Sequence, residues 1–226
     1  LAITQTVNKS LSLNNVKVDI KSKNPMPYDL ANFSFGYVYN ENYYQNPETE
    51  YNNSIHQRLQ ANYAYTPFVK PFEPFKDMKS TSGWLKFIKS FNFNYLPSNV
   101  SFSSNIIRQY NRQQFRQVDV EGIPLDALYR RNFLFNYQYG FNYNITKSLK
   151  VNFNASSSNI VRNYLDANNV PDNSVEIWDD YWNVGAPNQH NKQIVVNYDL
   201  PINKIPFLSF VKSNYTYTGD YSWQKA

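Results

Sequence analysis

The chain of 226 residues has no cysteine, only six glycines and only 17% charged residues. Without cysteine it can form neither a disulfide framework nor a thiolate metal site. The few glycines form no phosphate-binding loop, and no nucleophile-elbow motif is present. The longest uncharged aromatic stretch, residues 132–146, is broken by polar residues at nearly every second position. It therefore cannot supply the roughly 20 apolar residues of a transmembrane helix.

The ionisable residues give little sign of catalysis. His56 and His190 lie far apart in the sequence, and we expect both in solvated loops. Asp179 and Asp180 are adjacent, so on a helix they would point apart, whereas a glycosidase needs two carboxylates facing one bond. We therefore expect no enzyme, no cofactor and no metal. The alternative for the acidic residues is calcium binding, because hard oxygen ligands cluster at Asp166, Asp172, Glu176, Asp179 and Asp180.

Aromatic and amide residues dominate the composition. There are 20 Tyr, 16 Phe and 33 Asn. Tyr and Phe suit strands, whereas a helical protein is rich in Ala, Leu, Glu and Lys. The net charge of +5 permits contact with anionic lipid, but the basic residues are scattered, which favours ordinary solvated charge and gives no sign of a nucleic acid partner. The composition predicts an all-β protein.

The clearest pattern is an alternation with period two over residues 133–145, which only a strand places on two opposite faces. The same alternation continues over 149–156, and the turn 146–148 makes the pair a hairpin. The polar set consists of Asn136, Gln138, Asn142, Asn144, Asn152, Asn154 and Ser156. The apolar set consists of Phe133, Phe135, Tyr137, Tyr139, Phe141, Tyr143 and Phe153.

Weaker alternation elsewhere predicts about eight long strands in an antiparallel meander. The further strands fall near residues 11–20, 33–40, 59–65, 100–114, 194–198 and 211–217. The first of them changes phase at Asn14 and Asn15, which predicts a bulge or a break. Strands of 13 residues exceed the five or six that are usual in soluble proteins and suit a tilted membrane span of about 9 to 11.

The connections predict two different ends of the meander. Those at 21–30, 146–148 and 201–206 are short, whereas those at 46–55, 115–128 and 164–190 are longer or more polar. Such alternation is typical of outer-membrane barrels, with short periplasmic turns and long extracellular loops. Residues 66–98 break the rule as a long insertion on the periplasmic side. In it, residues 82–89 suit a short amphipathic helix, either packed against the protein or anchored at the lipid boundary, and residues 175–182 suit a second helix.

The composition of the two faces favours a membrane barrel over a soluble sandwich. A sandwich would bury Val, Ile and Leu and carry charges outside. Here the polar set can line a wet lumen, and the apolar set can face lipid. Two binding proteins remain as alternatives: a barrel segment of a nutrient receptor for glycans, or a soluble glycan-binding sheet in which Trp178 and Trp182 stack on sugars.

Four short runs resemble one known family. They are YDLANF at 28–33, FNFNYLP at 91–97, RQYN at 108–111 and PINKIP at 201–206. These runs are similar, in order along the chain, to the outer-membrane translocon of the Bacteroidota type IX secretion system, the SprA/Sov family of gliding-motility proteins. On this resemblance the whole chain, 1–226, would be an internal segment of a much longer barrel exposed at the bacterial cell surface.

The resemblance implies a giant single-chain barrel in the outer membrane. It implies a conduit through which folded proteins with a C-terminal secretion signal cross that membrane, including surface adhesins for gliding. It also implies a shuttle-type outer-membrane barrel and a periplasmic plug as partners. None of these properties follows from composition or periodicity.

Overall fold

The computed structural model describes residues 3–20, 23–78, 88–117 and 125–225. The eight strands are β1 (Gln5–Lys17), β2 (Phe33–Gln45), β3 (Thr49–Tyr65), β4 (Asn99–Phe115), β5 (Leu128–Asn144), β6 (Leu149–Val161), β7 (Ala186–Leu200) and β8 (Ser213–Gln224). Each strand pairs antiparallel with its neighbours in the chain, in the order β1 to β8. The prediction of an all-β antiparallel meander is confirmed. β1 and β8 form the edges of the sheet.

The predicted bulge in the first strand is present. The pairing of β1 with β2 shifts between Leu13 and Val16, and Asn15 adopts a left-handed conformation with φ of 51°. Asparagine tolerates this conformation better than most residues. The extra residue of the bulge places Val16 opposite Phe35, on the same face as Leu11 and Leu13.

Connections gather at two ends of the sheet, which we call upper and lower. The upper end holds the connections 46–48, 116–127 and 162–185, and the lower end holds 18–32, 66–98, 145–148 and 201–212. Short 3-10 helices lie at the lower end, at Leu30–Asn32, Pro201–Lys204 and Pro206–Leu208. No helix in the described ranges is long and apolar enough to cross a membrane.

The predicted pattern of long upper and short lower connections is wrong. The lower connections 18–32 and 201–212 contain 15 and 12 residues, whereas the upper connection 116–127 contains 12. Residues 46–55 do not form a long connection, because β3 begins at Thr49 and only three residues join it to β2. The side chain of Asn46 accepts a hydrogen bond from the backbone N–H of Glu48 at 3.1 Å, which closes a tight turn. The other predicted tight turn, 146–148, is confirmed, and the hydroxyl of Thr146 accepts from the backbone of Leu149 at 2.8 Å.

Neither predicted helix is established. Residues 177–182 form turns and no helix covers 175–182, so that prediction is wrong. The carboxylate of Asp179 accepts from the backbone N–H of Glu176 at 2.8 Å, and Asp180 has a positive φ of 50°, which interrupts helical geometry. Most of the other predicted helix, 82–89, lies outside the described residues.

The buried hydrophobic core is small and lies at the upper end. Phe133, Val161 and Ile177 form its centre. In the described ranges the hydrophobic residues that are buried are Ile106, Phe133, Ala155, Val161 and Ile177. A soluble domain of this length would bury most of its apolar surface. The sheet is therefore held mainly by its backbone ladder, and most of its aromatic side chains lie outside any core.

Candidate functional site: a sheet with two chemically distinct faces

Strand pairing assigns every strand residue to one of two faces, because residues directly opposite each other point to the same side. Tyr137 lies opposite Ser104 and Ser157, and its face carries most of the aromatic residues. Asn136 lies opposite Asn105 and Ser158, and its face carries most of the amides. We call these two surfaces the aromatic face and the amide face.

The structure separates the two predicted residue sets completely. Asn136, Gln138, Asn142, Asn144, Asn152, Asn154 and Ser156 all lie on the amide face. Phe133, Phe135, Tyr137, Tyr139, Phe141, Tyr143 and Phe153 all lie on the aromatic face. In the hairpin Gln138 lies opposite Ser156, and Phe141 lies opposite Phe153.

The aromatic face exposes a continuous apolar surface in its lower half. Phe35 is 51% exposed, Leu11 52% and Tyr217 51%, although these side chains lie on three different strands. Within the surface the rings contact each other along and across strands: Tyr137 stacks on Tyr139 at 6.4 Å, and Phe141 stacks on Phe153 at 5.5 Å. Exposed apolar patches of this extent mark a contact with lipid or with another protein.

Charged residues on the aromatic face are confined to the upper halves of the strands. They are Lys9, Glu41, Arg108, Arg112, Arg131 and Lys192. The lower halves contribute only uncharged residues to this face. From Phe135 to Tyr143 the uncharged stretch covers about 27 Å along β5, at about 3.4 Å per residue. A strand tilt of about 40° reduces this to about 21 Å, close to the apolar band of about 25 Å in outer-membrane barrels.

The amide face carries side-chain hydrogen bonds that run from strand to strand. Asn111 Nδ2 donates to Asn52 Oδ1 at 2.7 Å, and Asn132 Nδ2 donates to Gln109 Oε1 at 2.8 Å. A cleft of about 580 Å³ lies along this part of the sheet. Its lining residues on the amide face include Asn8, Asn40, His56, Asn111, Arg130 and Asn132. Such a surface offers many hydrogen-bonding groups to a ligand.

A second cleft contains part of the predicted polar set. Gln138, Asn154 and Ser156 line a cavity of about 320 Å³ together with Asn191 and Gln193 of β7. Gln193 Nε2 donates to Asp220 Oδ1 at 2.8 Å, which extends the polar network to β8. Polar side chains thus line the amide face on strands from both halves of the sheet.

Connection 162–185, here called the covering loop, folds over the upper part of the aromatic face. It covers Arg108, which is completely buried. Arg108 Nη2 donates to the carbonyl oxygens of Tyr181 at 2.7 Å and Asn183 at 3.2 Å. Its guanidinium also lies between the rings of Phe133 and Tyr181, at 5.2 and 5.5 Å. The carbonyl dipoles and the cation–π contacts stabilise the buried positive charge of Arg108.

A second arginine holds the other half of the covering loop. Arg131 Nη2 donates to the carbonyl oxygen of Val175 at 3.0 Å, and its guanidinium lies 5.3 Å from the ring of Tyr164. Within the loop, the hydroxyl and backbone N–H of Ser174 donate to Asp172 and lower the pKa of that carboxyl. Burial raises the pKa of the Tyr181 hydroxyl. The loop is therefore ordered by contacts with arginines on the sheet.

The predicted loop positions of the histidines are wrong. His56 lies in β3 on the amide face, and His190 lies in β7 on the aromatic face opposite Ser157. The predicted loop 164–190 extends too far at its C-terminal end, since β7 begins at Ala186. On opposite faces the two histidines cannot share a ligand. Among the described residues no group of three or more His, Asp or Glu side chains is arranged to hold a metal ion, and this includes the acidic side chains of the covering loop.

The insertion 66–98 packs against the β5–β6 turn at the lower end. The backbones of Phe72 and Phe93 exchange hydrogen bonds of 2.7 and 3.0 Å. The Tyr143 hydroxyl donates to the carbonyl oxygen of Asn94 at 2.6 Å, and the Lys147 ammonium pairs with Glu73. Exposed rings such as Phe72 and Tyr95 surround this contact and lie 5.8 Å apart. The lower edge of the aromatic face thus continues into an aromatic rim.

Sequence reasoning missed the roles of Arg108 and Arg131. Both alternate correctly with their neighbours, so their assignment to the aromatic face follows from period two. A charged residue inside an otherwise apolar face is a signal that something covers it. The covering partner, a loop more than 40 residues further along the chain, has no local signature.

Comparison with known proteins leaves the family open. No protein-family model matches the chain. No curated protein matches it significantly.

We expect Arg108→Met to release the covering loop. The substitution leaves the carbonyl oxygens of Tyr181 and Asn183 without their charged donor, and such hydrogen bonds contribute about 1.5 to 3 kcal/mol. Chymotrypsin, which cleaves after Trp178, Tyr181 and Trp182, should then cut the loop about tenfold faster or more. Arg112→Met, on the same strand and face but exposed, should leave the rate unchanged. Equal cleavage rates for wild type and Arg108→Met would contradict the anchoring role.

Proposed function

We propose that this chain forms part of the wall of a protein-conducting β-barrel in a bacterial outer membrane, exposed at the cell surface. We further propose that the barrel is the type IX secretion translocon of the SprA/Sov family, which passes folded cargo and is linked to gliding motility. The observation that carries the first step is the exposed, charge-free lower half of the aromatic face.

The aromatic face supports a lipid environment for a thermodynamic reason. Its Phe, Tyr, Leu, Ile and Val side chains include exposed ones on β1, β2, β4, β5, β7 and β8. Covering such apolar surface contributes about 25 cal/mol per Å². Charges on the same face occur only in the upper halves of the strands, where the covering loop contacts Arg108 and Arg131. A band free of charge next to a polar, loop-covered rim suits the boundary between hydrocarbon and headgroups.

The amide face supports the role of a hydrated conduit wall. Asn, Gln and Ser side chains satisfy one another across strands, as Asn111 does with Asn52, and remain accessible to water. Most of this surface is polar, and one row of partly exposed apolar side chains, Ile107, Leu134 and Ile160, crosses it. The residues we propose for this wall are those of the predicted polar set, Asn136, Gln138, Asn142, Asn144, Asn152, Asn154 and Ser156.

The edges of the sheet support a larger assembly. The outer sides of β1 and β8 carry backbone groups that would cost several kcal/mol each if left unpaired in lipid. We propose that further strands close the sheet into a barrel. The upper end would face the cell exterior, and the lower end with insertion 66–98 would face the periplasm.

The family assignment rests on the resemblance. Three of its four runs lie at the lower end, in the connections around residues 28–33, 91–97 and 201–206, and the fourth lies in β4. We propose that cargo with a C-terminal secretion signal, a shuttle-type outer-membrane barrel and a periplasmic plug are the partners, as the resemblance implies.

A charge placed in the apolar band should impair assembly. Tyr139→Arg puts a guanidinium among Tyr137 and Phe153, and we expect it to destabilise the assembled protein by roughly 2 to 4 kcal/mol. Asn142→Arg, three residues along the same strand on the amide face, should be tolerated. The measurement is heat modifiability in semi-native electrophoresis of membrane extracts. If both variants assembled equally well, the assignment of the two faces would fail.

Transport should bring cargo to one face only. A photo-crosslinking amino acid at position 136 should capture secreted proteins during export, and one at position 137 should capture none.

A second function has some structural support, because Trp178 is 54% and Trp182 is 73% exposed on the covering loop, as sugar-stacking rings would be. Absence of protein adducts at position 136 in actively secreting cells would reject the conduit and favour this glycan-binding role.

A further inference from the structure

The amide face has an uneven distribution of charge. Its cationic side chains lie on β1 to β6: Lys17 and Lys150 near the lower end, Arg58 in the middle and Arg130 near the upper end. On these six strands no carboxylate is paired onto this face, and Glu50 lies unpaired at the register shift of β3. The cations therefore follow the face from one end to the other.

These cations have no ionic partner within the described parts of the chain. Arg58, Arg130 and Lys150 are exposed, and none of them forms a salt bridge there. Arg58 Nε donates to Asn105 Oδ1 at 3.0 Å, so a neutral amide orients its guanidinium. Their charges are thus available to a ligand.

The 580 Å³ cleft lies in this cationic part of the face. Arg130 lines it together with amides of β1 to β5. Glu41 also borders the cleft, but it pairs with Lys9 at 3.1 Å and accepts from the Tyr39 hydroxyl at 2.9 Å, both on the aromatic face. Arg131 is likewise turned away, toward Val175 of the covering loop. The side chains that face the cleft are therefore amides, hydroxyls, His56 and one free guanidinium.

We propose that this part of the amide face binds acidic, extended polypeptide segments as they pass. The inference rests on the proposed function and names the chemistry of the cargo segment that contacts this wall. Amide side chains match the hydrogen-bonding groups of a peptide backbone, and the unpaired guanidinium groups match carboxylates. By strand spacing and rise, Arg58 and Arg130 lie about 17 Å apart, a distance that about five extended residues span.

The remaining strands set a boundary to this track. Asp199 on β7 and Asp220 on β8 are the carboxylates of the amide face there. Asp199 accepts from Asn214 at 2.7 Å, and Asp220 accepts from Gln193 at 2.8 Å. Their negative charge disfavours acidic segments near β7 and β8 and so confines them to the side of β1 to β6.

Peptide binding to the detergent-purified protein tests the proposal. The probe is a fluorescent peptide of about 12 residues that alternates Glu and Ser, compared with the same peptide carrying Gln for Glu. The acidic peptide should bind, its affinity should fall with added salt, and the neutral peptide should bind far more weakly. Arg58→Gln and Arg130→Gln should each weaken binding by about fivefold, as expected for exposed ion pairs. Arg112→Gln, which removes the same charge from the aromatic face, should not.

Three outcomes would overturn the proposal: equal affinity of the acidic and neutral peptides, equal weakening by Arg112→Gln, or tighter binding of a sulfated oligosaccharide of the same charge. Heat modifiability of each variant shows that it is folded. Loss of peptide binding in a protein that still crosslinks cargo from position 136 would reject this inference alone. Failure of crosslinking with peptide binding intact would reject the conduit.

Discussion

The antiparallel backbone ladder is the constraint on which the whole molecule depends. The ladder sends successive side chains to opposite sides of the sheet. A sequence that alternates Tyr or Phe with Asn or Ser therefore forms one apolar face and one polar face. Few side chains are buried between elements, so the ladder, rather than a hydrophobic core, holds the eight strands together. Stability of such a sheet then depends on what covers its aromatic side. The proposed lipid environment supplies that cover.

The upper end shows how the same sheet accommodates charge. Arg108 and Arg131 share a face with Phe133, yet neither guanidinium lacks a polar partner, because both donate hydrogen bonds to carbonyl oxygens of the covering loop. Ile177 of the same loop is buried beside Phe133. The covering loop is thus held on the sheet both by hydrogen bonds and by apolar packing. We regard this region as a structural rim, which leaves the amide face as the surface for transport.

Much of the sheet follows from the sequence because period two is a local signal. The alternation around Tyr137 identified β5 and both of its faces, and the Asn14–Asn15 phase change identified the bulge. Polar stretches were harder: residues 49–58 belong to β3 but contain few apolar residues, since one of their faces is wet and the other lies near the rim. Residues 175–182 have helical spacing, but Asp179 and Asp180 stabilise turns through their own backbone contacts. Pairing of Arg108 with Tyr181 is a long-range contact without any local pattern.

The absence of cysteine allows a direct measurement of the central claim, which is that the amide face is wet and the lower aromatic face lies in lipid. Single cysteines placed from position 135 to 143 can be probed in intact membranes with a water-soluble, membrane-impermeant thiol reagent, added after opening the periplasm. The account predicts labelling at 136, 138 and 142 and protection at 135, 137, 139 and 141. Uniform labelling of both sets, or labelling of the odd positions alone, would contradict it.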